Sequence, residues 1–213
     1  MNGCQFLAET FGINHSWKAK TMSYSIIYAD PPWRMISPRL VYTPYETMSD
    51  EQIINMPVKD IASENCALFM WSISSRLPVA IEACKSWGFM YKTIAFNWVK
   101  TSMATGQPNC RIGTYTLQGS EICLLGIRGK LQKKSNKVRQ VFMSPRAAHS
   151  KKPDEFRNRI VDLYGDLPRI ELFARSQTQG WDVFGNEVEG SIRLLTQRAA
   201  DGGNVAPEFS NFE

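Results

Sequence analysis

Short apolar runs recur along the chain and alternate with segments of helical periodicity. The runs cover residues 24–29, 67–71, 93–99, 121–127 and 169–174. Because they are almost continuously apolar and too short for helices, they predict strands that are buried on both faces of a sheet. Helices are predicted at residues 77–86 and 152–164. Strands that alternate with helices indicate an α/β fold, a mostly parallel sheet with helices on both faces.

Helix-end signals refine this pattern. Pro153 stands in the first turn of segment 152–164, and Gly165 follows its last residue, as is favoured at helix ends. Ser49 with Gln52 three residues later matches a capping box and predicts a short helix directly after Ser49.

The length of 213 residues fits one folded domain. We expect this domain to cover residues 22–190, which hold all the predicted strands and helices. Residues 1–21 show no periodicity and are expected to form a poorly ordered N-terminal extension. Residues 191–213 are rich in Ala, Asp, Gly and Asn, which predicts a disordered tail.

The positive charge is concentrated in one segment. The net charge is +5, but nine bases and no acid lie between Glu121 and Asp154. The rest of the chain holds 16 bases and 20 acids, a net of −4. We interpret the segment as a surface that contacts phosphates. A solvated basic loop is the alternative.

The cysteines and the hydropathy pattern bound the location of the protein. The five cysteines are odd in number and include no C-x-x-C pair, so we expect buried thiols in a reducing compartment and no zinc site. No apolar run approaches the roughly 20 residues of a membrane helix, and the N-terminus does not resemble a signal peptide. We expect a cytoplasmic protein without a membrane partner, in the host cytoplasm if it is phage-encoded.

Asp30-Pro31-Pro32-Trp33 directly follows the apolar run 24–29. Proline lacks a backbone N–H and fixes φ, so the chain must turn out of the sheet here. The turn places a carboxylate, a backbone carbonyl and an aromatic ring at the carboxyl edge of the sheet, where open α/β sheets bind ligands. These groups suit a planar molecule with an exocyclic amine, such as adenine. The alternative is a turn that only connects two elements.

This tetrapeptide resembles the catalytic motif of the MT-A70-like family, adenine-specific methyltransferases that depend on S-adenosyl-L-methionine. Other segments between residues 24 and 190 resemble the family in the same order: Tyr45-Glu46-Thr47-Met48-Ser49, Trp98-Val99-Lys100-Thr101, residues 121–129, residues 150–155, residues 171–175, Gly180-Trp181 and Gly185-Asn186-Glu187. The resemblance implies a Rossmann-like class I methyltransferase fold with a permuted motif order, in which the cofactor half follows the catalytic motif.

The resemblance also implies roles for individual residues and S-adenosyl-L-methionine as the cofactor. The implied catalytic residues are Asp30, Pro31, Pro32 and Trp33. The implied cofactor-binding residues are Ala29, Asp30, Ser150, Lys152, Glu171, Arg175, Asn186 and Glu187. The target base and the nucleic acid are expected to contact Trp33, Arg34, Tyr45, Lys133, Lys134, Lys137, Arg139 and Lys152. No metal is implied.

In the expected reaction, Asp30 accepts one N–H of the adenine amine and the Pro31 carbonyl accepts the other, which directs the nitrogen lone pair toward the methyl group. Trp33 and Tyr45 would pack on the base. The sequence therefore predicts an adenine-N(6) DNA methyltransferase of phage or bacterial type. RNA is the nearest alternative substrate, and a non-catalytic nucleic-acid-binding scaffold subunit is an alternative of another class. A homodimer or a pairing with a related subunit is also expected.

Overall fold

The structure is a computed structural model that describes residues 23–34, 46–113, 115–145 and 152–192. The strands are β1 Tyr24–Ala29, β2 Ala62–Ser72, β3 Met90–Thr101, β4 Arg111–Ile112, β5 Leu117–Gln118, β6 Ser120–Arg128, β7 Val141–Pro145, β8 Arg169–Leu172 and β9 Asp182–Phe184. The α-helices are α1 Asp50–Ile54, α2 Leu77–Ser86 and α3 Glu155–Tyr164, and 3-10 turns cover Val58–Asp60 and Ser74–Arg76.

Seven of these strands form one sheet in the order β7-β3-β6-β2-β1-β8-β9. Strand β6 runs antiparallel to both of its neighbours, and the other adjacent pairs are parallel. Strands β4 and β5 pair with each other in a separate two-stranded sheet. The mostly parallel sheet predicted from the sequence is confirmed. Its one reversed strand brings the amino end of β6 to the edge where the parallel strands end.

Both faces of the central strands are buried. Ile27 and Ala29 of β1 lie in a cluster with Ala80 and Ala83 of α2. On the other face, Tyr28 lies with Phe156 and Ile160 of α3. Because successive side chains of a strand point to opposite faces, a strand covered on both sides must be apolar throughout. This packing explains the uninterrupted apolar run of β1 and confirms helices on both faces.

Most helix predictions agree with the structure. Helix α2 has the predicted bounds, and Ser49 and Gln52 form the predicted capping box at α1. Gly165 follows α3 with a φ of 86°, a conformation that favours glycine. However, α3 begins at Glu155 rather than at residue 152. Lys152 lies before the helix, where its side chain reaches the sheet edge.

The strand predictions were too short or missing where the pattern is polar. Strand β2 begins at Ala62, because parallel pairing continues through polar residues that the apolar pattern excluded. Strand β8 ends at Leu172 rather than at residue 174, because Phe173 has a φ of 62°, outside the strand region. The two edge strands β7 and β9 were not predicted.

Cys66, Cys84 and Cys123 are buried thiols, as expected, but Cys110 is exposed, so that prediction was wrong at this position. Among the described residues, no helix is long and apolar enough to cross a membrane. Within the same residues, no group of three or more His, Cys, Asp or Glu side chains could hold a metal ion. Residues 1–21 and nearly all of the expected tail 191–213 lie outside the described residues, so those expectations remain predictions.

Candidate active site

Asp30 follows the last residue of β1 at the carboxyl edge of the sheet. Its backbone N–H donates to the Leu172 carbonyl of β8 at 3.4 Å. The Trp33 N–H donates to the Pro31 carbonyl at 2.8 Å and closes a tight turn. A carbonyl oxygen accepts two hydrogen bonds, so the carbonyl of Pro31, the residue after Asp30, accepts one bond within the turn and has a second acceptor position.

The indole of Trp33 packs inside the protein. Only 5% of this residue is exposed, and its Nε1–H donates to the Trp71 carbonyl at 2.9 Å. Trp33 also pairs with Met48 in an isolated parallel bridge. These contacts fix the turn that carries Asp30. The role of Trp33 on the target base stays a prediction, and the contacts described here are those of a supporting residue.

Four charged side chains form an alternating row beside Asp30. The Lys152 Nζ lies 2.6 Å from Asp30 Oδ2 and 3.1 Å from Glu121 Oε2. On the far side of Glu121, Lys100 of β3 bonds Oε1. The exposed fraction of these side chains falls from 28% for Asp30 to 19% for Glu121, 11% for Lys100 and 8% for Lys152. Two acids and two bases therefore balance each other at the sheet edge, with Asp30 as the most accessible member.

Aromatic rings support both lysines of this row. The Lys152 Nζ lies 5.2 Å from the centre of the Trp71 ring, and the Lys100 Nζ lies 5.1 Å from that of Trp98. Both distances are within the range of cation–π attraction. The Trp71 Nε1–H in turn donates to the Tyr28 hydroxyl at 2.7 Å. The lysine nitrogens are thus held between carboxylates and ring faces, which restricts where they can point.

The row also sets the protonation of its members. Burial alone would raise the pKa of Glu121, but Lys152 and Lys100 lower that pKa to about 2. Burial works to lower the pKa of Lys152, and Asp30 and Glu121 raise it above the usual value. Burial raises the pKa of Asp30, and contact with Lys152 opposes that rise. Glu121 is therefore an anion and Lys152 a cation at neutral pH.

A second group of polar side chains lies beyond β8 and β9. Arg175 pairs with Glu187 at 3.4 Å, and both side chains are accessible, as is Asn186. Gly185 holds this segment close, because a Cβ there would lie 2.1 Å from the Ala174 carbonyl oxygen. Glycine thereby permits the approach that places Asn186 and Glu187 next to Arg175.

Glu171 has a different environment from Arg175. Its two carboxylate oxygens accept hydrogen bonds from Nε and Nη2 of Arg157, both at 2.7 Å. Glu171 and Arg157 are both buried, and Arg157 belongs to α3. The Glu171 carboxylate thus connects β8 to α3. Its role in cofactor binding stays a prediction.

Of the predicted nucleic-acid residues, Lys152 contacts Asp30, and Trp33 and Arg34 follow it in its turn, whereas Lys134 lies away from it. Lys133, Lys134, Lys137 and Arg139 are exposed, but the Lys134 N–H donates to the Leu163 carbonyl at the far end of α3. Lys152 precedes α3, so the length of the helix, about 15 Å, separates the two lysines. Arg34 is exposed and directly follows Trp33 in the turn that carries Asp30. Tyr45 and Ser150 lie outside the described residues.

Sequence reasoning missed Lys100 and Glu121 as site residues. Both lie in segments that resemble the family, but the sequence predicted no role for either residue. Each interrupts or borders an apolar strand with a charge, and a charged residue in a strand that is buried on both faces needs a partner. That signal would have identified both residues.

Comparisons with known proteins identify the family of the chain. The MT-A70 family model matches residues 24–187. The chain is 32% identical over 202 residues to the Type II methyltransferase M.MunI of Mycoplasma sp, with 84% of each chain covered. It is 29% identical over 182 residues to the human N(6)-adenosine-methyltransferase catalytic subunit METTL3, covering 81% of this chain and 29% of METTL3. An Arabidopsis thaliana N(6)-adenosine-methyltransferase MT-A70-like protein is 28% identical over 183 residues, with 82% of this chain and 25% of the relative covered. These matches show that the chain belongs to the MT-A70 family.

Proposed function

We propose that this MT-A70 methyltransferase transfers a methyl group from S-adenosyl-L-methionine to the N(6) amine of adenine in DNA. The observation that carries the proposal is the accessible Asp30 carboxylate beside the Pro31 carbonyl at the carboxyl edge of the sheet. Likeness to a Type II methyltransferase over 84% of both chains supports DNA as the substrate.

The side chains near Asp30 fit the chemical groups of S-adenosyl-L-methionine. Arg175 offers a guanidinium for a carboxylate, while Asn186 and Glu187 offer hydrogen-bond partners for ribose hydroxyls. All three are accessible beyond the ends of β8 and β9. Asp30 and Lys152, together with Ala29 at the end of β1, complete the cofactor-facing set that we propose. When bound, the cofactor supplies an electrophilic methyl group on a sulfonium centre.

The chain's own residues orient the target amine. Lys152 bonds Asp30 Oδ2, so the other carboxylate oxygen is directed to a second donor, the amine N–H. The remaining acceptor position of the Pro31 carbonyl takes the other N–H. This arrangement draws the lone pair of the nitrogen out of conjugation with the ring. As the nitrogen becomes cationic, Asp30 stabilises charge that exists only in the transition state.

The target base must leave its helix or come from a single strand, because its amine is otherwise buried in a base pair. Arg34 lies beside the turn and suits the nearest phosphate. Lys134, at the far end of α3, can contact only a strand that extends about 15 Å from the target base, which is about four nucleotides of a duplex strand.

RNA is the second candidate substrate. The N(6)-adenosine-methyltransferase relatives favour it, although this chain covers only a quarter to a third of their length. The two candidates share the chemistry at Asp30 and differ in sugar contacts.

The test is transfer of labelled methyl groups to DNA and RNA, single- and double-stranded, followed by mass spectrometry of the nucleosides. We expect N(6)-methyldeoxyadenosine. Methyl on adenosine alone would support RNA, and no transfer to any substrate would contradict the proposal. Asp30→Ala should abolish transfer and keep the cofactor affinity within about tenfold, since Asp30 acts mainly in the transition state. Asp60→Ala, at an exposed aspartate of a 3-10 turn, is the matched control.

Cofactor binding separates an enzyme from a scaffold subunit. A protein that binds S-adenosyl-L-methionine gains about 2.7 kcal/mol of stability at a ligand concentration of about 100 times Kd. A scaffold subunit should show no thermal shift.

A further inference from the structure

Lys100 is buried at the carboxyl end of β3, and strands β6 and β2 separate β3 from the strand that carries Asp30. It bonds Glu121 Oε1, while Glu121 Oε2 faces Lys152 at 3.1 Å. Trp98 pairs with Glu121 across β3 and β6, so Lys100 is the diagonal neighbour of Glu121 on that strand pair. Lys100 thus reaches Asp30 through two intervening side chains.

The direction of the Lys152 ammonium depends on Glu121. An ammonium group has three donors on a flexible stem, and here Asp30 and Glu121 accept from it while the Trp71 ring faces it. Glu121 can hold Lys152 in this way only if its carboxylate is ionised and does not rotate. The bond from Lys100 to the other carboxylate oxygen fixes both properties.

We propose that Lys100 is a positioning residue of the methyl-transfer site, which acts through Glu121 to hold Lys152 on the Asp30 carboxylate. This role rests on the proposed function of Asp30. It explains why a charged lysine is kept in a buried strand, where an unpaired ammonium is costly.

The role of Lys100 leads to a pH effect of defined sign. The charged groups that face Glu121 are Lys100 from β3, Lys152 before α3 and Asp30 after β1. Arg175 also acts on Asp30 and lowers its pKa, and Asp30 in turn helps to raise the pKa of the buried Cys123 thiol, after the larger effect of burial. Lys100 helps to lower the pKa of Glu121, so its removal raises that pKa. Titration of the Glu121 carboxyl reads this rise directly, whereas a purely structural defect lowers kcat and leaves the pKa of Glu121 unchanged.

The test compares Lys100→Met with Lys92→Met, which removes the same charge from an exposed position of β3. We expect Lys100→Met to lower kcat by about tenfold or more, an effect typical of residues that orient site groups, and to leave the KM for S-adenosyl-L-methionine within about threefold. In this variant the pKa of Glu121 should rise. Lys100→Arg should restore most of kcat, because arginine keeps the cation. Equal kcat values and equal Glu121 pKa values for the two methionine variants would overturn the proposal.

A double variant shows whether Lys100 acts through Glu121. If it does, Lys100→Met combined with Glu121→Gln has the same kcat as Glu121→Gln alone, whereas multiplied losses of kcat would refute the coupling.

Carbon-13 NMR of the Glu121 carboxyl supplies a readout that needs no activity. An upward pKa shift in Lys100→Met supports the coupling of Lys100 to Glu121, whereas a wild-type protein that methylates no adenine refutes the proposed function instead. An unchanged Glu121 pKa in an active protein refutes the role of Lys100.

Discussion

Replacing Arg157 with methionine would leave the buried carboxylate of Glu171 without its cation. Arg157 and Glu171 share two hydrogen bonds of 2.7 Å, and each side chain is less than a tenth exposed. Methionine keeps most of the volume of the arginine stem, so the perturbation is mainly the loss of charge and of donors.

The size of the effect follows from this geometry. For charge centres about 4 Å apart, the attraction is about 4 kcal/mol at the effective dielectric constant of a protein. Breaking one side of a buried pair costs about 3–5 kcal/mol. For a chain of this length, this corresponds to a drop in Tm of roughly 6–20 °C. Asp154→Asn is the control, because Asp154 contacts the same guanidinium but its side chain is 69% exposed. It should cost at most about 1 kcal/mol.

The same variants test the cofactor role predicted for Glu171. Arg157→Met combined with Glu171→Leu removes both charges and should recover most of the lost stability. We expect its affinity for S-adenosyl-L-methionine to stay within about threefold of wild type, because Arg157 already engages both oxygens of Glu171. A loss of tenfold or more would support direct contact between Glu171 and the cofactor.

Three further changes test other contacts. Trp33→Phe leaves the buried Trp71 carbonyl without its donor and should lower the free energy of unfolding by about 1–3 kcal/mol in urea denaturation; an unchanged midpoint would contradict this. Arg76→Gln removes a guanidinium that donates to the Arg34 carbonyl, and should lower kcat more than Arg111→Gln at an exposed position; equal kcat values would show that the catalytic turn does not need it. Replacing Lys133, Lys134 and Lys137 with glutamate should weaken binding of a 25-nucleotide strand and flatten its salt dependence, with little effect on a five-nucleotide strand. Equal losses of affinity for both lengths would place these lysines near the target base.

The apolar pattern predicted the central sheet well because burial on both faces leaves a continuous signal. It could not predict β7 or β9, which lie at the edges of the sheet, where fewer neighbours demand apolar residues. It also could not give the direction of β6. That direction decides the site, because it places Glu121, at the start of a strand, beside Asp30 at the end of another.

The sequence predicted the part of the candidate site whose chemical groups are adjacent along the chain, as in Asp30 with its two prolines. It was less predictable where a role depends on a distant partner. Glu171 and Arg175 lie four residues apart and were given similar roles, yet one is buried against Arg157 and the other is accessible beside Glu187. The basic segment was predicted to form one surface, and the sequence could not show that Lys134 lies at the far end of α3 from Lys152.

Arg76 fastens two points of the chain that are 16 residues apart in sequence. Its guanidinium donates to the Arg34 carbonyl at 2.8 and 2.6 Å and pairs with Asp50 at 2.8 Å. Next to it, the Met48 N–H donates to the Pro32 carbonyl at 3.1 Å. These contacts join Arg34, at the end of the turn that carries Asp30, to Asp50 and Met48 at the amino end of α1. The position of the Asp30 carboxylate therefore depends on α1 as well as on β1, so a substitution that displaces α1 also displaces the candidate site.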